Sequence, residues 1–248
     1  MMDSFTSVLS IIEKAREEGR TLLSILVDPD KAAEEHLEKI VESSENQSDI
    51  FFVGGSLVTE LKLDQTIDGL KKRSKKPVVL FPGSLLQISN KADALLFLTL
   101  ISGRNPELLI GHHVVAAPMI RKTQLEVMPV GYMLIDGGKP TTASYMSHTS
   151  PIPANKPEIA VCTAMAGEML GLKLLYLDAG SGAENPVSAE IISAVREATD
   201  LPIIVGGGIR TAEQAGKAAK AGATVVVVGN ALEKDPGRIR ELKQAISR

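Results

Sequence analysis

The residues of this chain that can do chemistry gather where short apolar runs end. Tyr176-Leu177-Asp178-Ala179-Gly180-Ser181-Gly182-Ala183 closes one such run and brings a phenol, a carboxylate and a hydroxyl close together. On an extended strand Tyr176 and Asp178 share one face. The carboxylate could then hydrogen-bond or deprotonate a substrate hydroxyl while Ser181 and nearby amides hold an anion. A structural aspartate capping the next turn is the plainer alternative. Gly206-Gly207-Gly208-Ile209-Arg210 closes the next run, and Gly229-Asn230 the one after it. Glycines at such places let backbone N–H groups approach an anion closely, and the helical stretches that follow add positive potential. Two glycine turns at successive strands describe a phosphate cradle better than two unrelated tight turns.

A second corner lies near the other end of the chain, where Asp28-Pro29-Asp30-Lys31 and Gly54-Gly55-Ser56 close two further runs. A carboxylate and a hydroxyl converging from neighbouring strand ends suit Mg²⁺, which takes oxygen ligands, keeps several waters and is completed by substrate phosphates. Asp-Pro is also a common turn opener, and Asp30 alternatively caps the helix that follows. The histidines carry little. His36 reads as a solvated residue of a charged helix, His112 and His113 as core or loop residues, and with His148 they form no zinc spacing. The sequence has no serine-hydrolase elbow, Walker loop or Rossmann fingerprint, since Gly180-Ser181-Gly182 is not followed by a third glycine.

The elements that must position these residues show as a recurrence. Eight apolar runs, Leu22–Val27, Ile50–Val53, Val78–Phe81, Ala94–Leu100, Val130–Ile135, Leu174–Leu177, Ile203–Val205 and Val225–Val228, alternate with stretches of helical periodicity. Continuous rather than alternating apolar runs mark strands buried on both faces, as in a parallel sheet covered by helices. Val187, Ile191, Ile192 and Val195 repeat at helical spacing, and Thr211 with Gln214 forms a capping box ahead of a helix that Gly222 ends. Eight strand–helix units in 248 residues predict a (β/α)8 barrel as one domain over residues 1–248. Its reactive groups then belong at the C-terminal ends of the strands, where the residues above lie.

One unit is irregular. Only a dozen residues separate Phe81 from Ala94, too few for a comfortable third helix. A missing or degenerate third helix opens a groove that Leu85, Leu86, Ile88, Leu95 and Phe97 could line, unless these residues simply close the core. The connection from Asp136 to Ala154, rich in Gly, Thr, Ser and Pro, reads as a long loop and a candidate lid.

Composition narrows the classes. With 27 Lys+Arg against 30 Asp+Glu and a net charge of −3, the chain lacks the clustered basic surface that nucleic acid requires. Lys71, Lys72, Arg73, Lys75 and Lys76 read as the solvated end of a helix. Cys162 is the one cysteine, which excludes an intramolecular disulfide and fits a reducing cytoplasm. Residues Met1–Arg20 are amphipathic and charged, unlike an export signal, and no apolar run is long enough to span a membrane.

Taken together, Leu26 to Lys31, Val53-Gly54-Gly55-Ser56, Tyr176 to Ala183, Val205 to Arg210 and Val227-Val228-Gly229-Asn230 closely resemble the geranylgeranylglyceryl phosphate synthase family, whose frame the heptaprenylglyceryl phosphate synthases share. The resemblance implies a modified TIM barrel without a regular third helix. It implies an Mg²⁺-dependent prenyltransferase that joins sn-glycerol 1-phosphate to a long prenyl diphosphate through an ether bond and releases diphosphate. On that resemblance Asp28 and Ser56 would bind Mg²⁺. Tyr176, Leu177, Asp178, Ala179, Gly180, Ser181, Gly182, Gly207, Gly208, Gly229 and Asn230 would hold glycerol 1-phosphate. Asp178 would be the base and Tyr176 would orient substrate or face the developing cation, with the prenyl tail in the groove. A homo-oligomer, dimer or hexamer, and peripheral contact with a membrane for the lipid product are further implications. Two positions depart from the family pattern: Asp178 stands where Glu is frequent, and Leu26 where some relatives carry Lys. The cradle alone would equally serve another phosphate-binding barrel, an isomerase or a flavin-dependent enzyme, or a barrel used as a non-catalytic scaffold.

Overall fold

The computed structural model describes residues 7–247. Eight parallel strands close into a barrel in sequence order: β1 Leu22–Val27, β2 Ile50–Val53, β3 Val78–Leu80, β4 Ala94–Leu100, β5 Glu126–Leu134, β6 Leu174–Asp178, β7 Ile203–Gly206 and β8 Val225–Val228. Closure follows from pairing β1 with both β2 and β8, which leaves no free edge. The helices are α1 Val8–Glu17, α2 Glu34–Ser44, α3 Leu63–Arg73, α4 His112–Ile120, α5 Thr142–Ser147, α6 Pro157–Met169, α7 Ala189–Ala198, α8 Ala212–Lys220, α9 Asn230–Lys234 and α10 Ile239–Ile246.

Strand alternation divides the apolar residues into two layers. Leu22, Ile50, Phe52, Val79, Leu96, Met128, Leu174, Ile204 and Val225 pack together inside the barrel. Leu23, Ile25, Phe51, Leu95, Leu175, Val205 and Val226 pack with the helices outside. Val8, Ile12 and Ala15 of α1 join the inner cluster, so this helix seals the N-terminal end of the barrel. Its start is held from the sheet: the Glu126 carboxylate accepts from the Ser7 hydroxyl at 2.5 Å and from the Val8 and Leu9 amides at 2.6 and 3.0 Å. Negative charge at a helix N-terminus satisfies its orphan N–H groups and complements the dipole. Of the charged N-terminal stretch expected from sequence, Met1–Thr6 lie outside the described residues.

The expected capping box is present at α8, where Thr211 and Gln214 exchange bonds, and Gly222 beyond it has φ +109°. Lys71, Lys72 and Arg73 do end a helix, α3, although Lys71 is drawn back to Asp93 at 2.6 Å. The barrel helix that should follow the third strand is absent: β3 runs to β4 through an irregular segment. A buried glutamine fills part of its place. The Gln87 side chain accepts from the Gly55 and Gly83 amides at 3.2 and 3.3 Å and donates to the Gly55 carbonyl at 2.9 Å. It thereby ties the loop after β3 to the loop after β2 as a strand backbone would. The loops touch so closely that a Cβ at Gly54, where φ is +148°, would collide with the Phe81 carbonyl.

The connection from Asp136 to Ala154 corrects the expectation of a plain loop. It contains α5, with its own capping box between Thr141 and Ser144, and it is fastened to the sheet by a bridge between Ile135 and Ile152. His148 ends α5 in the left-handed conformation. His36 is likewise corrected: it is half-buried, and its Nε2 is buried without a partner.

Replacing Glu126 with Ala is expected to destabilise the fold by about 2 kcal/mol, because three donors lose one charged acceptor. Urea denaturation measures this, and an unchanged midpoint would show that α1 docks by its apolar face alone.

Candidate functional site

The C-terminal mouth of the barrel opens into a cavity of about 1210 Å³. Strand register decides what lines it. Tyr132 on β5 pairs with Tyr176 on β6, and Tyr176 with Ile204 on β7, so both phenols point inward in one layer with Asp178 one step above. Phe81, just past β3, stacks on Tyr176 at 4.9 Å between ring centres, and Tyr132 meets both edge-on at 5.5 and 6.1 Å.

Asp178 is 6% exposed and fully engaged on its protein side. Its Oδ2 accepts from the Tyr132 hydroxyl at 2.5 Å and its Oδ1 from the Gly180 amide at 2.7 Å. Burial raises its carboxyl above the ordinary range, and these two donors pull it part of the way back. Burial first, and then the Asp178 charge, push Tyr132 and Tyr176 well above the usual phenol value, so both stay neutral donors.

Beside Asp178 the turns after β6, β7 and β8, the expected cradle, come together at the mouth. Ser181, Gly182, Gly207, Gly208, Gly229 and Asn230 all line the cavity, and Asn230 Nδ2 donates to Ser181 Oγ at 3.3 Å. Gly207 and Gly208 have φ near +77° and +71°, and a Cβ on Gly207 would be driven against Asp178 Oδ1. Arg210 stiffens the turn from behind by donating to the carbonyls of Ala183 and Glu184. Gln214 Oε1 accepts from the Arg210 and Thr211 amides, so the start of α8 is capped by its own side chains.

Three of the expected cradle residues do not face the cavity. Leu177 and Ala179 alternate outward and are buried against the helices, and the Ala179 amide is spent on the Gly206 carbonyl. The Gly180 amide is spent on Asp178. The rule of alternation that pairs Tyr176 with Asp178 sends Leu177 and Ala179 to the other side of the strand.

Across the mouth, Asp28 and Ser56 both line the cavity, and Asp28 Oδ1 lies close to Gly55, whose Cβ would stand 3.9 Å from it. Asp28 caps its own turn through the Asp30 amide at 3.1 Å, and Lys31 Nζ stands 3.4 Å from its Oδ2. Asp30 does not cap α2. It accepts instead from Thr59 and Glu60 at 2.7 to 2.9 Å, and these bonds, the Thr59 amide foremost, hold its carboxyl below the ordinary value. Among the described residues no three His, Cys, Asp or Glu side chains gather as a metal cage. One carboxylate and one hydroxyl fit a hard cation that keeps waters and takes phosphate oxygens, which is the manner of Mg²⁺.

The apolar end of the cavity runs along the gap left by the missing helix. Leu85, Ile88, Leu95 and Phe97 line it as expected, joined by Leu100, Leu108, Ala116 and Ile120. Leu86 does not line it and is 88% exposed. His113, which sequence reasoning left undecided, forms part of the wall. It packs edge-on against Phe97 at 4.5 Å and meets Thr99 Oγ1 at 3.3 Å. Burial lowers its pKa. A five-residue π-helix, Glu107–Gly111, leads directly into α4. Thr142, Ala143, Met146 and Ser147 of α5 border the same cavity. Tyr132, Phe81 and Arg210 are site residues that the sequence did not single out. The signal available for Tyr132 was an aromatic inside an otherwise aliphatic run.

Asp178 links site and stability. A buried acid with a raised pKa contributes most when protonated, and that contribution is lost as pH rises from the ordinary value of 3.8 through the folded-state value. Asp178→Asn is therefore expected to gain stability relative to the wild type as pH rises across that window. Urea midpoints taken from pH 3 upward test this, and a difference that does not vary with pH would exclude burial as the dominant cause.

Comparison with known proteins bears on the same surfaces. The PcrB family profile matches residues 14–246. A Spirosoma linguale protein named geranylgeranylglyceryl phosphate synthase is 49% identical over 96% of both chains. A Chitinophaga pinensis protein of the same name is 51% identical over 93% of this chain and 92% of its own. The crystal structure of (S)-3-O-geranylgeranylglyceryl phosphate synthase from Thermoplasma acidophilum, in complex with substrate sn-glycerol-1-phosphate, superposes with a TM-score of 0.92 at 30% identity, covering 98% of this chain and 99% of that one. Tryptophan synthase from Mycobacterium tuberculosis, at 16% identity and TM-score 0.60, shares the fold alone. The chain belongs to the PcrB family.

Proposed function

We propose that this chain is a prenyltransferase that joins sn-glycerol 1-phosphate to a long-chain prenyl diphosphate, geranylgeranyl diphosphate, through an ether bond. The observation that carries the reading is one continuous cavity. It joins a glycine cradle, a buried carboxylate under an aromatic layer, an acidic corner and an apolar groove. A phosphate monoester with a free hydroxyl fits the first two, and an anion with a long hydrocarbon tail the last two. The relatives' shared name, and the sn-glycerol-1-phosphate bound in the Thermoplasma acidophilum structure, support the same substrates.

In this reading the phosphate rests against Ser181, Gly182, Gly207, Gly208, Gly229 and Asn230, which brings the glycerol 3-hydroxyl to Asp178. Tyr132 and the Gly180 amide fix the carboxylate so that its remaining lone pairs face the cavity. The hydroxyl oxygen attacks the allylic carbon C1, the bond from C1 to the diphosphate oxygen breaks, and diphosphate leaves with the electron pair. Asp178 accepts the hydroxyl proton, and burial, which raises its carboxyl above the ordinary value, strengthens it as a base. Phe81, Tyr132 and Tyr176 offer ring faces and edges to the allylic centre as positive charge develops there, and they exclude water that would compete with the hydroxyl. Asp28 and Ser56 would hold Mg²⁺, which when bound neutralises charge on the leaving diphosphate. The groove supplies tail affinity at roughly 0.8 kcal/mol for each buried methylene.

We also propose a homo-oligomer. Ile110, Val114, Val115 and Met119 before and on α4, and Ile159 and Met165 on α6, are exposed on the helices that follow the neighbouring strands β4 and β5. Apolar area of this kind marks a protein interface. No helix of the described residues is long and apolar enough to cross a membrane. The exposed thiol of Cys162 suits a cytoplasmic setting.

Incubation with Mg²⁺, sn-glycerol 1-phosphate and prenyl diphosphates of increasing length should yield an ether product detectable by mass spectrometry. Asp178→Asn is expected to lower the single-turnover rate by about 10²-fold or more with little change in glycerol phosphate affinity. Asp28→Ala should lose about 10- to 100-fold or more in Mg²⁺-dependent turnover. Near-normal rates in either variant would remove that residue's role, and product from no donor would remove the transferase reading. For the assembly, Val115→Lys is expected to lower the mass measured by light scattering, and an unchanged mass would place the interface elsewhere.

A further inference from the structure

The cavity mouth carries a charge arrangement that the steps above leave unused. A diphosphate is a polyanion and requires cations, and Lys31, Arg210 and Arg238 are the lysine and arginine side chains lining the cavity among the described residues. Arg210 is committed to the Ala183 and Glu184 carbonyls, where it braces the turn after β6. Arg238 Nε donates to Glu241 at 2.8 Å, one turn along its own chain segment. Lys31 differs. Its ammonium sits between two carboxylates, 3.4 Å from Asp28 Oδ2 and 3.1 Å from the nearer oxygen of Glu233, and its side chain is half-exposed.

The ammonium is half-exposed, so water screens both of its ion pairs, and a lysine on its flexible stem can move between acceptors. One of its two partners is Asp28, the carboxylate assigned above to the metal corner. A diphosphate bound beside Asp28 would therefore bring its oxygens within the reach of the ammonium, in competition with Glu233. A diphosphate carries more negative charge than either carboxylate, and its oxygens accept charge-assisted bonds of the same kind. Glu233 lies in α9, whose first residue, Asn230, belongs to the cradle, so the resting contact spans the two halves of the mouth.

We propose that Lys31 is a substrate-binding residue whose ammonium leaves Glu233 and Asp28 to bind the diphosphate of the prenyl donor. This rests on the prenyltransferase reading and adds a residue to it. Glu233 then serves as the place where the ammonium is held until the donor arrives. Lys31 governs affinity for the donor and leaves affinity for glycerol phosphate untouched.

The test is calorimetric binding of inorganic diphosphate, with and without Mg²⁺, together with KM values for prenyl diphosphate and for sn-glycerol 1-phosphate. The proteins compared are the wild type, Lys31→Met, Lys31→Arg, Glu233→Gln, the Lys31→Met/Glu233→Gln double variant and Arg238→Met, each checked by thermal melting. Lys31→Met should weaken diphosphate binding about tenfold and raise the donor KM by a similar factor, with the glycerol phosphate KM within about twofold. Lys31→Arg should recover most of the loss. Glu233→Gln should tighten diphosphate binding, and that gain should vanish in the double variant. Equal losses in Lys31→Met and Glu233→Gln would mean a mere tie across the mouth, and a loss in Arg238→Met as large as in Lys31→Met would mean a diffuse field. Either result overturns the proposal. Ether product from the wild type with unchanged diphosphate affinity in Lys31→Met would refute Lys31 alone, whereas a wild type that makes no product with any donor would refute the underlying reaction.

Discussion

Removing a carboxylate from water is costly, and the position of Asp178 can be held only because the barrel supplies two donors where its oxygens end up. The Tyr132 hydroxyl comes from β5 and the Gly180 amide from the turn after β6. Neither could be placed without the register that sets Tyr132 against Tyr176. That register is itself a product of closure, since eight strands that must meet leave no freedom to slip. The buried acid thus depends on the whole sheet, and the cradle depends on the acid: Gly207 packs so close to Asp178 that no side chain fits between them. An unsupported carboxylate here would be neutral or solvated.

The absent third helix is the second constraint. A barrel strand that loses its covering helix exposes one face, and here the exposed strip becomes the apolar arm of the cavity. The chain closes the mechanical gap with little material. Gln87 supplies one amide in place of a backbone, satisfying both hydrogen-bonding groups of Gly55 next to Ser56. Stability and site geometry meet in that side chain, because the loop it anchors is the one that presents the hydroxyl opposite Asp28.

Much of this was legible in the residues. Strands buried on both faces are read directly from apolar runs, and β1, β2, β4 and β8 have the bounds their runs indicated. The residues that face the mouth follow from ending those strands with glycine, aspartate and asparagine. What was not legible depends on contacts distant in sequence. Tyr132 becomes a partner of Asp178 only through pairing of β5 with β6, and its place as an aromatic in an aliphatic run does not name that partner. Leu86 is as apolar as Leu85, and only the irregular path of the chain turns it to solvent. Leu177 and Ala179 lie within a motif that reads as one block, whereas the two-residue period of a strand sends them outward. Helix α5 is hard to read from sequence because Thr and Ser are poor helix formers, and its capping box outweighs their propensity.

Helix α1 has a consequence for traffic. With Val8, Ile12 and Ala15 set into the inner cluster and Glu126 fastening the helix start, the barrel is blind at its N-terminal end. Everything that enters the cavity must leave through the same mouth or sideways through the gap between β3 and α4. A hydrocarbon tail lying in that lateral slot never has to be threaded end-on through a closed ring. A product with a polar head at the mouth and a tail in the slot can be released broadside, as a zip is opened, directly onto whatever apolar phase lies alongside.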